Sequence, residues 1–226
     1  MNLANKIFNI LSEKDFENLA LEIFQYQYKE VKVYQQFCNL LKINPTNVNS
    51  LNKIPFLPIQ FFKSHQIIAD NKKHKVVFSS SGTTGSILSK HYVHDLQLYK
   101  TGFTKTFNSF MKSSKELTIL ALLPNYLERE GSSLVFMVNE LIKQSNNINS
   151  GFYLNDLSSL IQKIEYLENN NRKTLLVGVS YALLDLIEIK KFKLKNTIII
   201  ETGGMKGRRK VMFKKELHKT LKDGFG

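Results

Sequence analysis

Eight consecutive small residues, Ser79-Ser80-Ser81-Gly82-Thr83-Thr84-Gly85-Ser86, follow an apolar run at Val76-Val77-Phe78. Glycines let backbone N–H groups come close to an anion, and the flanking Ser/Thr hydroxyls add further donors. Such a loop suits a polyphosphate. It is not a Walker A loop, because the Gly-Lys-Ser/Thr ending is missing. Ser/Gly runs also serve as flexible linkers, but this one is short and lies between two apolar segments. A second stretch, Ile198-Ile199-Ile200-Glu201-Thr202-Gly203-Gly204-Met205-Lys206-Gly207-Arg208-Arg209, carries an apolar strand into a glycine-rich, basic turn. Gly203 and Gly204 can adopt φ > 0 and let a flat ring lie against the backbone. Lys206, Arg208 and Arg209 put positive charge beside it, where a phosphate or carboxylate is welcome. The alternative is a tight turn with a solvated basic helix start, an arrangement that the helix dipole opposes.

The elements that must position these turns are legible as periodicities. Residues 1–43 read as helices: Ser12-Glu13-Lys14-Asp15 resembles a capping box, with Phe16, Leu19, Ala20, Ile23 and Phe24 at helical spacing after it. A second helix carries Val33, Phe37, Leu40 and Leu41 and ends at Asn44-Pro45. Pro45, Pro55 and Pro58 predict an extended connector over 44–64. Strands are expected at Val76–Phe78, His91–His94, Leu117–Leu123, Phe152–Leu154, Thr174–Val179 and Asn196–Ile200. Helices are expected at 96–110 after an Asp95 cap, at 133–143, 156–168 and 181–189, and from Lys210 to Leu221. Continuous apolar strands separated by amphipathic helices imply an α/β fold with a mostly parallel sheet flanked by helices. In such sheets, ligands bind at loops leaving the carboxyl ends of strands.

The chain has 226 residues, 42% hydrophobic and 23% charged, which is ordinary for a globular protein. No window reaches the ~18 uncharged apolar residues of a membrane span, and the amino terminus lacks the features of a secretory signal. The expected location is the cytoplasm. One cysteine, Cys38, rules out an internal disulfide and reads as a buried structural thiol. The five histidines, His65, His74, His91, His94 and His218, show no metal spacing. A net charge of +13 favours anionic partners. A non-catalytic nucleotide- or nucleic-acid-binding protein is therefore one reading, but no nucleic-acid motif or interleaved aromatic-basic surface supports it.

The residues also resemble a known group of enzymes. Ser80-Ser81-Gly82-Thr83-Thr84-Gly85 is similar to the phosphate-gripping signature of the adenylate-forming superfamily, which includes acyl-CoA ligases. Most members place a Pro-Lys pair closely after the last glycine. Here Ile87-Leu88 stand near that place and the nearest lysine is Lys90, which points away from ordinary CoA ligases. Glu201-Thr202-Gly203-Gly204-Met205-Lys206-Gly207-Arg208-Arg209 resembles a hallmark of the acyl-protein synthetase (LuxE-type) family, where it replaces the Gly-Gly-Glu segment lining the adenine pocket. Ile54-Pro55-Phe56-Leu57-Pro58-Ile59 with Phe61-Phe62-Lys63 looks like that family's leading segment. Leu123-Pro124-Asn125-Tyr126-Leu127-Glu128-Arg129 with Gly131-Ser132-Ser133-Leu134-Val135 looks like its mid-domain motif, and Ser132 doubles as a helix cap. The likeness runs over residues 50–226.

That resemblance implies ATP-dependent activation of a carboxylic acid, a fatty acid above all, as an acyl-adenylate, with transfer to a protein thiol. ATP and Mg²⁺ are the implied cofactors. The implied partners are the acid and an acyl-accepting protein such as a reductase or carrier. Ser80, Ser81, Gly82, Thr83, Thr84 and Gly85 would hold phosphates, Glu201, Thr202, Gly203 and Gly204 would flank adenine, and Lys206 or Arg208 would meet a phosphate or the carrier. A phenylacetate-CoA-ligase-like enzyme with CoA as acceptor is the neighbouring alternative. The expected organisation is a helical segment over 1–50 and an incomplete nucleotide-binding α/β core over 51–226. The superfamily's Thr-Glu motif, ribose-binding aspartate and mobile C-terminal domain are absent. The chain therefore reads as a partial N-terminal domain, impaired alone and without assignable catalytic residues.

Overall fold

A computed structural model describes residues 3–80, 87–111, 113–124, 131–205 and 207–226. Contacts group the chain into two compact units, Met1–Phe103 and Thr104–Gly226. The architecture is α/β, as the apolar periodicities imply.

In the first unit, α1 (Leu3–Lys6) precedes α2 (Glu13–Glu30) and α3 (Lys32–Leu40). Ser12 caps α2, its hydroxyl accepting from the Asp15 N–H at 3.1 Å. Phe24, Val31, Tyr34 and Cys38 are buried with Val48 and Ala69 of the following segment. The Tyr34 hydroxyl donates to the Pro55 carbonyl at 2.6 Å and ties α3 to that segment. Cys38 is wholly buried, and burial pushes its thiol up, consistent with a structural thiol. The expected extended connector is more structured than its prolines suggest. Single 3₁₀ turns occupy Pro45–Asn47 and Leu51–Lys53, and α4 spans Phe61–Ser64. Proline is tolerated at a first helical position, where its missing N–H has no partner to lose.

Two strands, β1 (Val76–Ser79) and β2 (Lys90–Val93), pair antiparallel, with Val76 opposite Val93 and Ser79 opposite Lys90. They form their own two-stranded sheet. This corrects the expectation that the serine-rich run leaves a strand of the parallel sheet: it connects an antiparallel pair. Helix α5 (Leu96–Met111) follows, the Asp95 carboxylate accepting from the Leu98 N–H at 2.9 Å.

The second unit holds a four-stranded parallel sheet in the order β4-β3-β5-β6. Its strands are β3 (Thr118–Leu122), β4 (Gly151–Phe152), β5 (Thr174–Gly178) and β6 (Thr197–Glu201). Every residue of β3 and β5 is buried, as uninterrupted apolar composition demands of central strands. Strand β6 has a similar sequence but lies at the edge, and Ile198 remains 48% exposed. Helix α6 (Ser133–Ser145) is capped by Ser132, whose hydroxyl accepts from the Val135 N–H, and ends on Asn146 in the left-handed region at φ 46°. Helix α7 (Leu157–Asn169) is capped by Asp156 through the Ser159 N–H at 2.9 Å and buries Leu160, Ile164 and Leu167 along one stripe. Helix α8 (Ser180–Ile189) is buried along most of its length. Helix α9 (Lys214–Phe225) packs on it, starting four residues later than the basic run predicts. No helix among the described residues is long and apolar enough to cross a membrane.

Candidate functional site

The two turns singled out by composition lie in different compact units. In the first unit, Ser80 and Ser89 close the neck of the serine-rich connection. The Ser80 N–H donates to the Ser89 carbonyl at 3.0 Å, and the Ser80 hydroxyl accepts from the Ser89 N–H at 3.1 Å. These reciprocal bonds continue the β1–β2 pairing by one step and hold the loop ends together. Ser81, Gly82, Thr83, Thr84 and Gly85 lie outside the described residues, as do Lys206 and the mid-domain residues Asn125 to Arg129.

Beside this neck, α4 presents Phe61 and Phe62 to opposite neighbours. The Phe61 ring meets Phe37 of α3 edge-on at 5.7 Å, and Phe62 meets His91 of β2 edge-on at 6.4 Å. Two cavities share Phe62. One, of about 750 Å³, runs between α2, α3 and the segment Leu51–Leu57, with Phe16, Ala20, Ile23, Ile54 and Phe56 on its walls and no ionisable carboxylate or amine among them. The other, of about 400 Å³, is lined by Lys63, His65, Ile87, Leu88, Lys90 and Tyr92. Lys63 and Lys90 are exposed there and form no ion pair among the described residues.

In the second unit, the parallel register sets Gly178 abreast of Glu201. The Thr202 N–H donates to the Gly178 carbonyl at 3.0 Å, extending the β5–β6 ladder into the turn. Glu201 is half-buried, and one carboxylate oxygen accepts both from the Ser180 hydroxyl and from the Gly203 N–H. The carboxylate therefore shapes the turn it begins. Gly203, Gly204 and Gly207 all have positive φ, at 78°, 100° and 70°. A side chain on Gly203 would meet nothing within 4 Å, so the backbone there is open to a flat group.

The two arginines of the turn differ. Arg208 is exposed, its guanidinium stacked 4.9 Å from the Tyr181 ring centroid. Arg209 is bound to α8: its Nε donates to Asp185 at 2.8 Å and its Nη1 to Glu188 at 2.6 Å. Those two carboxylates raise the Arg209 guanidinium pKa above its usual range, and Arg209 in turn lowers Glu188. Arg209 is held in structural ion pairs, whereas the Arg208 guanidinium forms no hydrogen bond or ion pair among the described residues. Sequence reasoning did not single out Ser180, Asp185 or Glu188. Ser180 had a signal, a small hydroxyl residue directly after an apolar strand. Among the described residues, no group of three or more His, Cys, Asp or Glu could hold a metal ion.

No curated protein and no solved structure matches the chain. A family model does, over residues 10–119, just under half of the chain. The matched stretch begins well before residue 50, where the sequence resemblance starts, and takes in α2 and α3. It includes the Ile54–Lys63 segment and the whole of Ser80–Gly85, and it ends before Glu201. Residues 10–119 are similar to the family described as acyl-protein synthetase, LuxE.

Proposed function

We propose that this protein activates a fatty acid at the expense of ATP and passes the acyl group to a thiol on a partner protein. The observation that carries this reading is the match of residues 10–119 to the acyl-protein synthetase family, because that stretch contains the whole candidate phosphate loop. In the first half-reaction a carboxylate oxygen attacks the α-phosphorus of ATP, a C–O–P linkage forms, and the bond to the departing pyrophosphate breaks. In the second, a thiolate attacks the acyl carbonyl and AMP leaves.

The barrier in the first step comes from bringing an anion to a polyanion, so fixed donors are the main requirement. Ser80 to Gly85 are assigned to the phosphates through backbone N–H groups and hydroxyls. Glu201 to Gly204 are assigned to adenine: the positive-φ glycines expose backbone, and the bonds from Ser180 and Gly203 to Glu201 hold it in place. Lys206 and Arg208 are assigned to a phosphate or to the acceptor. Mg²⁺ would enter with the triphosphate, which supplies most of its oxygen ligands, and would offset phosphate charge. The site of action is the cytoplasm.

The test is ATP–pyrophosphate exchange by the full-length protein across a panel of carboxylic acids. Exchange is expected with fatty acids, and Gly82→Ala and Gly203→Val are each expected to lower it by roughly tenfold or more. Acyl transfer to protein rather than to CoA separates this reading from a CoA ligase. Absence of exchange with every acid refutes it.

A further inference from the structure

The paired cavities at Phe62 are assigned no role by the family match, and their chemistry is complementary to one kind of molecule. The larger is walled by aliphatic and aromatic side chains from α2, α3 and the Ile54–Leu57 segment, and its volume of about 750 Å³ falls in the usual range of small-molecule sites. Phe56, one of its lining residues, is 83% exposed. The smaller cavity also counts Phe62 among its walls and is lined by Lys63, His65 and Lys90. An apolar trough that shares a wall residue with a cation-lined recess fits an unbranched chain with an anionic head.

We infer that the two cavities form one bipartite site for a free fatty acid, with the acyl chain in the α2–α3 trough and the carboxylate between Lys63 and Lys90. The inference rests on the acyl-activation reading for its choice of ligand, and it assigns that ligand a place. The placement is chemically consistent. Ile87, Leu88 and Lys90 line the cationic recess, and in sequence they follow closely on the segment assigned to the phosphates. Phe62 belongs to the walls of both compartments, and its ring meets His91 of β2 edge-on. Helix α4 therefore acts as a positioning element, anchored by Phe61 against Phe37 on one side.

The experiment measures binding of saturated fatty acids of eight to fourteen carbons, and of the alcohols of the same lengths, to the full chain by calorimetry without ATP. Affinity for the acids is expected to rise roughly fourfold per methylene until the trough is full, and then to level off. Ala20→Trp, which fills the trough from α2, should make the gain stop several carbons earlier. Gln27→Trp, at an exposed position one helical step pair further along, repeats the block if the first variant does not fold. Lys63→Gln with Lys90→Gln should weaken the acids about fivefold and leave the alcohols unchanged.

A flat chain-length series, or a break that neither tryptophan moves, overturns the assignment of the tail. Equal weakening of acids and alcohols by the lysine changes overturns the assignment of the head. Length-dependent binding without pyrophosphate exchange would sink the activation reading alone. Exchange with a flat binding series would sink the bipartite site alone.

Discussion

Replacing a helical glycine by alanine ordinarily stabilises a protein, and at Gly224 it should do the opposite. Alanine in place of glycine gains roughly 0.5–1 kcal/mol in a helix interior, less in a last turn. Gly224 lies in α9 against α8, and an added Cβ would stand 2.7 Å from the Ile187 Cβ and 2.8 Å from its Cγ2. The first of these atoms is fixed to the α8 backbone and cannot rotate away, so the two helices must part. Forcing a methyl into such a contact costs about 1–3 kcal/mol. The separation would also strain the bonds by which the Gly224 and Phe225 carbonyls accept from the Phe192 and Leu194 N–H groups, at 2.8 and 2.9 Å. The net expectation is a loss of about 1–2 kcal/mol and a melting temperature lower by roughly 4 °C. Gly102→Ala is the matched control: the same change inside α5, where an added Cβ meets nothing within 4 Å. It should raise stability by roughly 0.5–1 kcal/mol. Urea unfolding followed by far-UV circular dichroism reads both. Equal shifts in the same direction would show that helix propensity alone decides, and the α8–α9 contact argument would be wrong.

Three further outcomes are expected. Arg209→Ala should cost about 1 kcal/mol, since the pairs with Asp185 and Glu188 are partly solvated, and the cost should shrink in 1 M salt. Hydrogen exchange at Gly203 and Gly204 should quicken in that variant, because the turn loses its tie to α8; unchanged exchange would refute that tie. Burial opposes ionisation of Glu168, but bonds from Thr197 and from the Lys195 and Asn196 N–H groups outweigh it and hold its carboxyl below the ordinary glutamate range. A depressed folded pKa adds stability above the unfolded value of about 4.3, and that stability disappears as pH falls through and below it. Glu168→Gln should therefore cost about 1 kcal/mol at pH 7, and that cost should shrink steadily as pH falls below the ordinary glutamate range, measured by unfolding at each pH. Gly178→Ala should destabilise by about 2 kcal/mol, because its Cβ would lie 2.8 Å from the Leu183 Cγ and Cδ2 beneath the Glu201 turn; a neutral result in thermal melts would refute the close approach of β5 to α8.

Much of the second unit was legible in the sequence. Leu117–Leu123 and Thr174–Val179 are uninterrupted apolar runs, and such runs have only one comfortable place, between two layers of helices. The caps at Ser12, Asp95 and Ser132 were legible because a capping side chain reaches only three residues along its own chain, whereas Asp156, expected within its helix, proves to be its cap. The pairing of Val76–Ser79 with Lys90–Val93 was not, since four-residue strands carry no mark of orientation and only the closure of Ser80 on Ser89 reveals it. Glu201 was read for what it offers to a ligand. Its bond to Ser180, on a helix contributed from elsewhere in the chain, exists only once the sheet aligns them. The basic turn likewise sets two arginines side by side in sequence, of which only Arg208 was assigned to a ligand. Asp185 and Glu188 stand on one face of α8 and take one of them out of play. The trough beside Phe62 draws its walls from three separate segments, so no single stretch of sequence carries its outline.

Glu168 has an influence well beyond its own neighbourhood. By gripping the chain at Lys195, Asn196 and Thr197, it fixes the height at which β6 enters the sheet. From Thr197 to Glu201 the strand climbs about 13 Å at its ordinary rise per residue, so this clasp at the floor acts as a ruler for the Gly203–Gly204 bend at the ceiling. A slip of one residue would exchange the faces of Ile198, Ile199 and Ile200 and pull the Glu201 carboxylate out of reach of Ser180.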